Sequence, residues 1–376
     1  MRDLTITESW RPASLAAEAP RAKEAAGLQI GSTPLDVPLG VAPMAGMTDS
    51  AFRRLVKRQG GCGLVVTEMV SSEGLVRGID RTLEFAEYTE EERPVSIQIF
   101  GGDPEKMAAA AQIVESMGAD IVDVNMGCPV PKIAKHNAGC SLMREPRHAA
   151  SVIEAMAKAV KIPVTVKMRA GWNDAERNAP VLARMVEDAG ARAVTVHGRT
   201  AAQSYSGLAD WDLVAEVAKA LTIPVFGSGD CVTPEQIVAR LASGIEGVLV
   251  GRGVLRNPWI LAQAADLLEG RPAREITLAE RGQFLLDYID LLMHERVRDQ
   301  EVVRTFRSAN TGVDPASPSL PAQNSHDRWV VNKLRALGAY YTKGIDEGAE
   351  FRSALNTTGS LEELRELIRC FFKLEN

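Results

Sequence analysis

The chain has 376 residues, of which 45% are hydrophobic and 24% charged, with a formal net charge of −6. That balance belongs to a soluble globular protein long enough for one large domain and a smaller one, and it argues against a whole surface that binds polyanions indiscriminately. No apolar run approaches the roughly 20 residues that span a bilayer, and five scattered cysteines without zinc-type spacing fit a reducing, cytoplasmic setting with no metal site.

Residues 1–27 mix Arg, Glu, Asp and Ala without an apolar core, so they read as a poorly ordered extension and not as a secretory leader. From residue 28 to 270 one unit recurs: a short run rich in Val and Ile, a loop with glycine or polar residues, then an amphipathic stretch. Eight such runs occur, at Leu39–Pro43, Leu64–Met69, Val95–Phe100, Ile121–Asn125, Val164–Met168, Ala193–His197, Val225–Ser228 and Gly247–Val250. They are nearly continuous in apolar residues, as expected of parallel strands buried on both faces. Helix starts are marked by Thr48-Asp49, by Asp103-Pro104 and by Thr233-Pro234-Glu235-Gln236. Internal echoes, such as Lys161-Ile162-Pro163-Val164 against Thr222-Ile223-Pro224-Val225, favour a (β/α)8 TIM barrel over an open α/β sheet. Beyond residue 270 the strand signal stops. Amphipathic helices over Leu278–Arg298, Trp329–Thr342 and Leu361–Lys373 predict a smaller helical domain across 271–376. Within it, residues 308–325 are rich in Ser, Pro, Ala and Asn and read as a flexible insertion.

Barrel enzymes carry their active sites at the C-terminal ends of the strands. Here those ends hold Pro43-Met44-Ala45, Glu68-Met69, Gln98, Asn125, Lys167, His197, Ser228-Gly229-Asp230 and Gly251-Arg252. A purely structural barrel would not need Gln, Asn, Lys and His in the last turns of apolar strands. Lys167, at the inner end of a buried strand, requires an anionic or polar partner. A bound anion is one candidate and a salt bridge to Glu68 is the other. The glycine-bearing turns after the seventh and eighth strands, Gly227-Ser228-Gly229-Asp230 and Gly251-Arg252-Gly253, can cradle a phosphate with backbone N–H groups. Neither a GxGxxG nor a P-loop pattern occurs.

Cys128 follows Asn125-Met126-Gly127 and precedes Pro129, on the loop after the fourth strand. A lone cysteine is usually a small apolar residue. At a barrel mouth, a thiol still protonated at neutral pH can instead donate a proton. Cys62, Cys140, Cys231 and Cys370 lack that context.

Five motifs, in order, resemble the dihydrouridine synthases, and most of all their bacterial B-type branch. They are Ala42-Pro43-Met44-Ala45-Gly46-Met47-Thr48-Asp49, Asn125-Met126-Gly127-Cys128-Pro129, Lys167-Met168-Arg169-Ala170-Gly171-Trp172, His197-Gly198-Arg199-Thr200, and Gly251-Arg252-Gly253 with Pro258-Trp259-Ile260. The resemblance implies an FMN-dependent oxidoreductase that reduces uridine to dihydrouridine in tRNA, with NADPH or NADH as reductant. It implies that Pro43, Met44 and Ala45 line the flavin, that Gln98 and Lys167 bind its polar edge, and that His197 lies near it. Ser228, Gly229, Asp230, Gly251 and Arg252 would hold the phosphate, with Cys128 as general acid and Asn125 and Lys167 positioning the base. Ser228 stands where the family usually has Asn, and Arg335-Ala336-Leu337 stands where it often has Arg-Lys-His.

Arg328, Lys333 and Arg335 are the expected RNA contacts of the helical domain, and the chain is expected to act as a monomer. Two rivals share parts of this pattern: an FMN barrel acting on a free pyrimidine, and a non-catalytic RNA-binding barrel. The C-terminal helical domain speaks against the first, and the intact Cys128 and Lys167 against the second.

Overall fold

Strands buried on both faces cannot end at an open edge cheaply, and closing the sheet on itself removes both edges. The computed structural model, which describes residues 27–134, 137–311 and 323–374, has this closed form. An antiparallel hairpin, β1 (Gln29–Ile30) and β2 (Thr33–Pro34), precedes the barrel. The barrel strands are β3 (Leu39–Val41), β4 (Leu64–Val66), β5 (Val70–Ser71), β6 (Val95–Phe100), β7 (Ile121–Met126), β8 (Val164–Arg169), β9 (Ala193–His197), β10 (Val225–Ser228) and β11 (Gly247–Val250). All neighbours are parallel, and β3 pairs with both β4 and β11, which shuts the ring. Both β4 and β5 pair with β6, so they are two pieces of one strand interrupted at Thr67-Glu68-Met69. Eight staves result, at the eight runs expected.

Alternate residues along each stave face the barrel axis. At the N-terminal end the interior is apolar, filled by Leu64, Ile121, Ala193, Phe226 and Leu249, with Ile30 and Leu35 from the hairpin region packed into the same cluster. The outward residues pack under the helices. The expected helix starts are present: Asp49 accepts from Phe52 N at 2.9 Å, Asp103 accepts from Glu105 N at 3.0 Å, and Thr233 with Gln236 forms a capping box.

The C-terminal region is helical, at Leu278–Thr311, Gln323–Tyr341, Gly348–Thr357 and Leu361–Phe372. The first helix runs past Arg298 because no glycine or proline occurs between Arg298 and Gly312. The stretch 308–325, expected as a loop, is therefore helical at both ends, and residues 312–322 lie outside the described residues, as do residues 1–26. The helix Gly348–Thr357 was not expected from the sequence. Its region shares one core with the barrel: Phe52, on the helix Ser50–Gln59, meets Phe284 and Tyr288 edge-on at 6.1 Å each. Phe284 also stacks on Tyr341 at 5.9 Å. No helix among the described residues is long and apolar enough to cross a membrane.

Candidate active site

The period of two puts Gln98, Asp123, Asn125, Thr165, Lys167 and His197 on inward positions of β6 to β9. Register then makes them neighbours: Gln98 pairs with Asp123, Asp123 with Thr165, and Asn125 with Lys167. Their side chains form one buried network. Gln98 Nε2 donates to Asp123 Oδ2 at 2.7 Å, Thr165 Oγ1 donates to Asp123 Oδ1 at 2.6 Å, and Asn125 Nδ2 donates to Gln98 Oε1 at 2.7 Å. Burial pushes the Asp123 carboxyl above its usual range, while these hydrogen bonds and the Lys167 charge pull it back.

Lys167 has neither a hydrogen bond nor an ion pair from its ammonium group among the described residues, although it is half-buried on an inward position of the barrel. Burial, helped by Arg169 and opposed by Asp123, pushes its pKa down to about 8. The alternative of a bridge to Glu68 is not what the structure has. Glu68 accepts from Gly46 N at 2.6 Å and lies 3.8 Å from Lys333. A half-buried cation without a partner is a site prepared for an anion or a strong acceptor.

His197 completes this polar layer. Its Nδ1 accepts from Arg199 N at 3.2 Å, which leaves the proton on Nε2. Burial and the charges of Lys167, Arg169, Arg199 and Arg252 push the imidazole down to about 2, so it is a neutral donor at any working pH.

The two glycine turns meet at the same mouth. Gly229 has φ +122° and Asp230 φ +53°, so consecutive backbone N–H groups curve into a cup. A Cβ at Gly229 would sit 2.7 Å from Ala209 and 3.5 Å from His197 Nε2, while one at Gly253 would sit 2.2 Å from the Cys231 carbonyl oxygen. The turns are thus in contact and only glycine permits it. The Asp230 carboxylate is occupied with Arg199 Nη2 at 2.8 Å and Ala209 N at 2.8 Å, with Arg252 3.7 Å away. Asp230 can therefore offer an anion its backbone and not its side chain. Arg199 Nη1 is buried without a partner among the described residues, as a site awaiting an anion would require. A Cβ at Gly251 would lie 3.6 Å from Met44 Sδ, which joins this end to the half-buried Pro43 and Met44 and the exposed Ala45.

Cys128 is half-buried at the rim. Its loop is tied down by Asn125 Oδ1, which accepts from Gly127 N at 3.1 Å and Cys128 N at 2.9 Å. Burial raises the thiol above its ordinary value, against the pull of the Val130 backbone and Arg169, so it stays protonated. The backbone N–H of Cys140 donates to the Cys128 carbonyl at 3.1 Å, and its own side chain is buried. Sequence reasoning passed over Arg169 and Tyr205. Arg169 joins the Cys128 loop to the loop after β9, through Gly127 O at 2.8 Å and Thr200 O and Ser204 O at 2.9 Å each. Tyr205 is 62% exposed, with the Arg252 guanidinium 4.8 Å and that of Arg169 5.9 Å from its ring centre. Arg169 could have been found, since it lies two residues beyond Lys167 on the same face of the strand.

Of the expected RNA contacts, Arg328 is exposed, whereas Lys333 and Arg335 have partners inside the protein. Arg335 donates to Leu355 O at 3.1 Å and Thr358 O at 2.7 Å, fastening one C-terminal helix to the next. Lys333 reaches the barrel mouth, to Asp49 Oδ2 at 2.9 Å and Gly46 O at 3.0 Å. Tyr288 donates to the same carboxylate oxygen at 2.7 Å. Lys333→Met should lower stability by roughly 1.5–3 kcal/mol, the range for a lost hydrogen bond to a charged group. Urea unfolding measures it, and an unchanged midpoint would mean that this contact does not fasten helix to barrel.

A model of the dihydrouridine synthase (Dus) family matches residues 40–316. The chain is 35% identical over 348 residues to a probable tRNA-dihydrouridine synthase of Rickettsia conorii, covering 92% of this chain and 96% of that protein. It is 40% identical over 269 residues to tRNA-dihydrouridine synthase B of Shewanella oneidensis, covering 70% of this chain and 83% of the relative. Against tRNA-dihydrouridine synthase B of Xanthomonas campestris the identity is 33% over 347 residues, with 92% and 96% covered. Among solved structures, the 6-hydroxypseudooxynicotine amine oxidase of Pseudomonas geniculata N1 superposes with a TM-score of 0.50 at 15% identity, over 69% of this chain and 52% of that one. At that identity the likeness shows the fold alone.

Proposed function

The chain belongs to the dihydrouridine synthase family, and we propose that it reduces the 5,6 double bond of uridine in tRNA, in the cytoplasm and as a monomer, using FMN and NADPH or NADH. The observation that carries this reading is Lys167, half-buried at the inner end of its strand and unpartnered among the described residues, at a barrel mouth that also holds two adjoining glycine turns and a buried arginine nitrogen with no described partner. These residues fit a flavin mononucleotide. Backbone N–H groups of Gly229, Asp230 and Gly251, with Arg199 and Arg252, would hold its phosphate, and Met44, Gln98, Lys167 and His197 would meet its ring. When bound, FMN supplies the hydride that carbon 6 of uracil receives.

The chain's own part is positional and acidic. Cys128 gives its thiol proton to carbon 5, which its raised pKa permits across neutral pH. Lys167 holds positive charge where negative charge develops on the carbonyl edge. Asn125 orients the base. A uridine reaches this depth only after leaving its RNA stack, and the exposed Tyr205 ring, with two guanidinium groups nearby, offers it an aromatic and cationic contact. Arg328 is placed to meet RNA phosphate.

Purified protein should be yellow, and the extracted flavin should be FMN. If Lys167 meets the flavin as a cation, binding above pH 8 must return a proton to it. The affinity of apoprotein for FMN should therefore fall about tenfold between pH 7 and pH 9, one unit past a pKa of about 8. Lys167→Met should bind more weakly and lose that slope. Equal slopes in fluorescence titrations of the two proteins would remove Lys167 from the flavin site, and extraction of FAD would end the FMN assignment.

A further inference from the structure

Asp123 lies two residues deeper in its strand than Asn125 and is 4% exposed in the middle of the barrel. A carboxylate there must be explained, because isolated buried charge is costly. Both of its oxygens accept: Oδ2 from Gln98 Nε2 at 2.7 Å and Oδ1 from Thr165 Oγ1 at 2.6 Å. The Gln98 amide is therefore turned with nitrogen down and oxygen up. That oxygen can only accept, so Asn125 must present its nitrogen, which it does at 2.7 Å. Asn125 Oδ1 then points to Gly127 N and Cys128 N, which can only donate. Turning either amide over would set donor against donor or acceptor against acceptor. Among the described residues, the second Asn125 Nδ2 hydrogen faces the Met69 sulfur, at 3.7 Å, a weak acceptor that a substrate oxygen can replace.

We propose that Asp123 is a positioning residue that fixes the polarity of the Gln98–Asn125 amide relay, holding the Cys128 loop in place and making Asn125 meet a carbonyl oxygen of uracil as a hydrogen-bond donor. The inference rests on the reading of Cys128 and uridine given above. What matters on this account is an acceptor at position 123, and not the negative charge. Asparagine can supply the acceptor and leucine cannot.

The test compares Asp123→Leu, Asp123→Asn and Thr165→Val, the last removing the other partner of the carboxylate. Two quantities are read: reoxidation of the reduced holoenzyme by uridine-containing tRNA, and alkylation of Cys128 by iodoacetamide in apoprotein, followed by peptide mass mapping. Asp123→Leu should slow reoxidation by about 10–100-fold, as for a misplaced reacting group. Cys128 alkylation should rise severalfold as its loop loosens, with flavin reduction by NADPH within about threefold of wild type. Asp123→Asn and Thr165→Val should stay within about threefold in every assay. Equal defects in the Asn and Leu variants would make charge the operative property and overturn the proposal. So would a Leu variant with normal alkylation. A normal rate in Cys128→Ala would defeat the functional reading, while the alkylation comparison would still decide the role of Asp123. If the Leu variant does not fold, neutron diffraction from deuterated wild-type crystals decides. Deuterons should lie on Gln98 Nε2 toward Asp123 and on Asn125 Nδ2 toward Gln98, and a deuteron on Asp123 shared with Gln98 Oε1 would overturn the assignment.

Discussion

Replacing Cys128 by alanine should slow reoxidation of the reduced enzyme by tRNA by about 10²–10⁴-fold, the usual contribution of a positioned general acid. Reduction of the flavin by NADPH should remain near wild type, since that step needs no acid on this loop. Burial keeps the thiol protonated, so it is suited to give a proton and poorly suited to act as a nucleophile. Reoxidation should therefore stay flat with pH through the ordinary thiol range and fall only above it. Cys128→Ser should recover little, because an unactivated hydroxyl is a far weaker acid. The control is Cys370→Ala, an exposed cysteine in the helical region. Cys140 is the poorer control, because its buried thiol lies close enough to that of Cys128 for their charges to interact. Stopped-flow traces of the two half-reactions decide the matter. A wild-type reoxidation rate in Cys128→Ala would refute the acid assignment.

Glu92→Gln should cost about 3–5 kcal/mol of stability, the range for a buried ion pair deprived of one partner. Glu92 and Arg53 are 0% and 1% exposed and 2.6 Å apart. Arg53 also donates to Thr48 O and Glu87 O at 2.7 Å each, and Glu92 accepts from Ser50 Oγ at 2.6 Å. Removing the carboxylate charge leaves the guanidinium buried without compensation beneath the loop that carries Met44 and Ala45. The adjacent Glu91, on the surface with Arg54 and Arg58, gives the contrast. Glu91→Gln should change stability by at most about 1 kcal/mol, because solvent screens an exposed pair. Urea unfolding of both variants is sufficient. Similar losses from the two would show that burial does not set the value of the Glu92 pair.

The barrel was legible because continuous apolar runs with polar last residues can be read locally, and eight of them leave few other topologies. The depth of the site was less so. Asp123 and Arg169 lie two residues from Asn125 and Lys167, on the same inward faces, but attention to strand ends alone passes over them. Lys333 looked like a phosphate contact because its partners lie far away in sequence: Asp49 is 284 residues distant. No local pattern reports a helix that folds back onto the barrel mouth. The helix Gly348–Thr357 escaped notice because it is short and follows a left-handed residue, Glu347, at φ +59°. The order of the five family motifs gave what local physics could not, namely the substrate.

The most direct test is mass spectrometry of nucleosides from tRNA lacking dihydrouridine, incubated anaerobically with the purified flavoprotein and NADPH. The account predicts that uridine at one or a few positions gains two hydrogens, and that free uracil or orotate-type bases under the same conditions do not. Unmodified tRNA together with reduction of a free pyrimidine would contradict it.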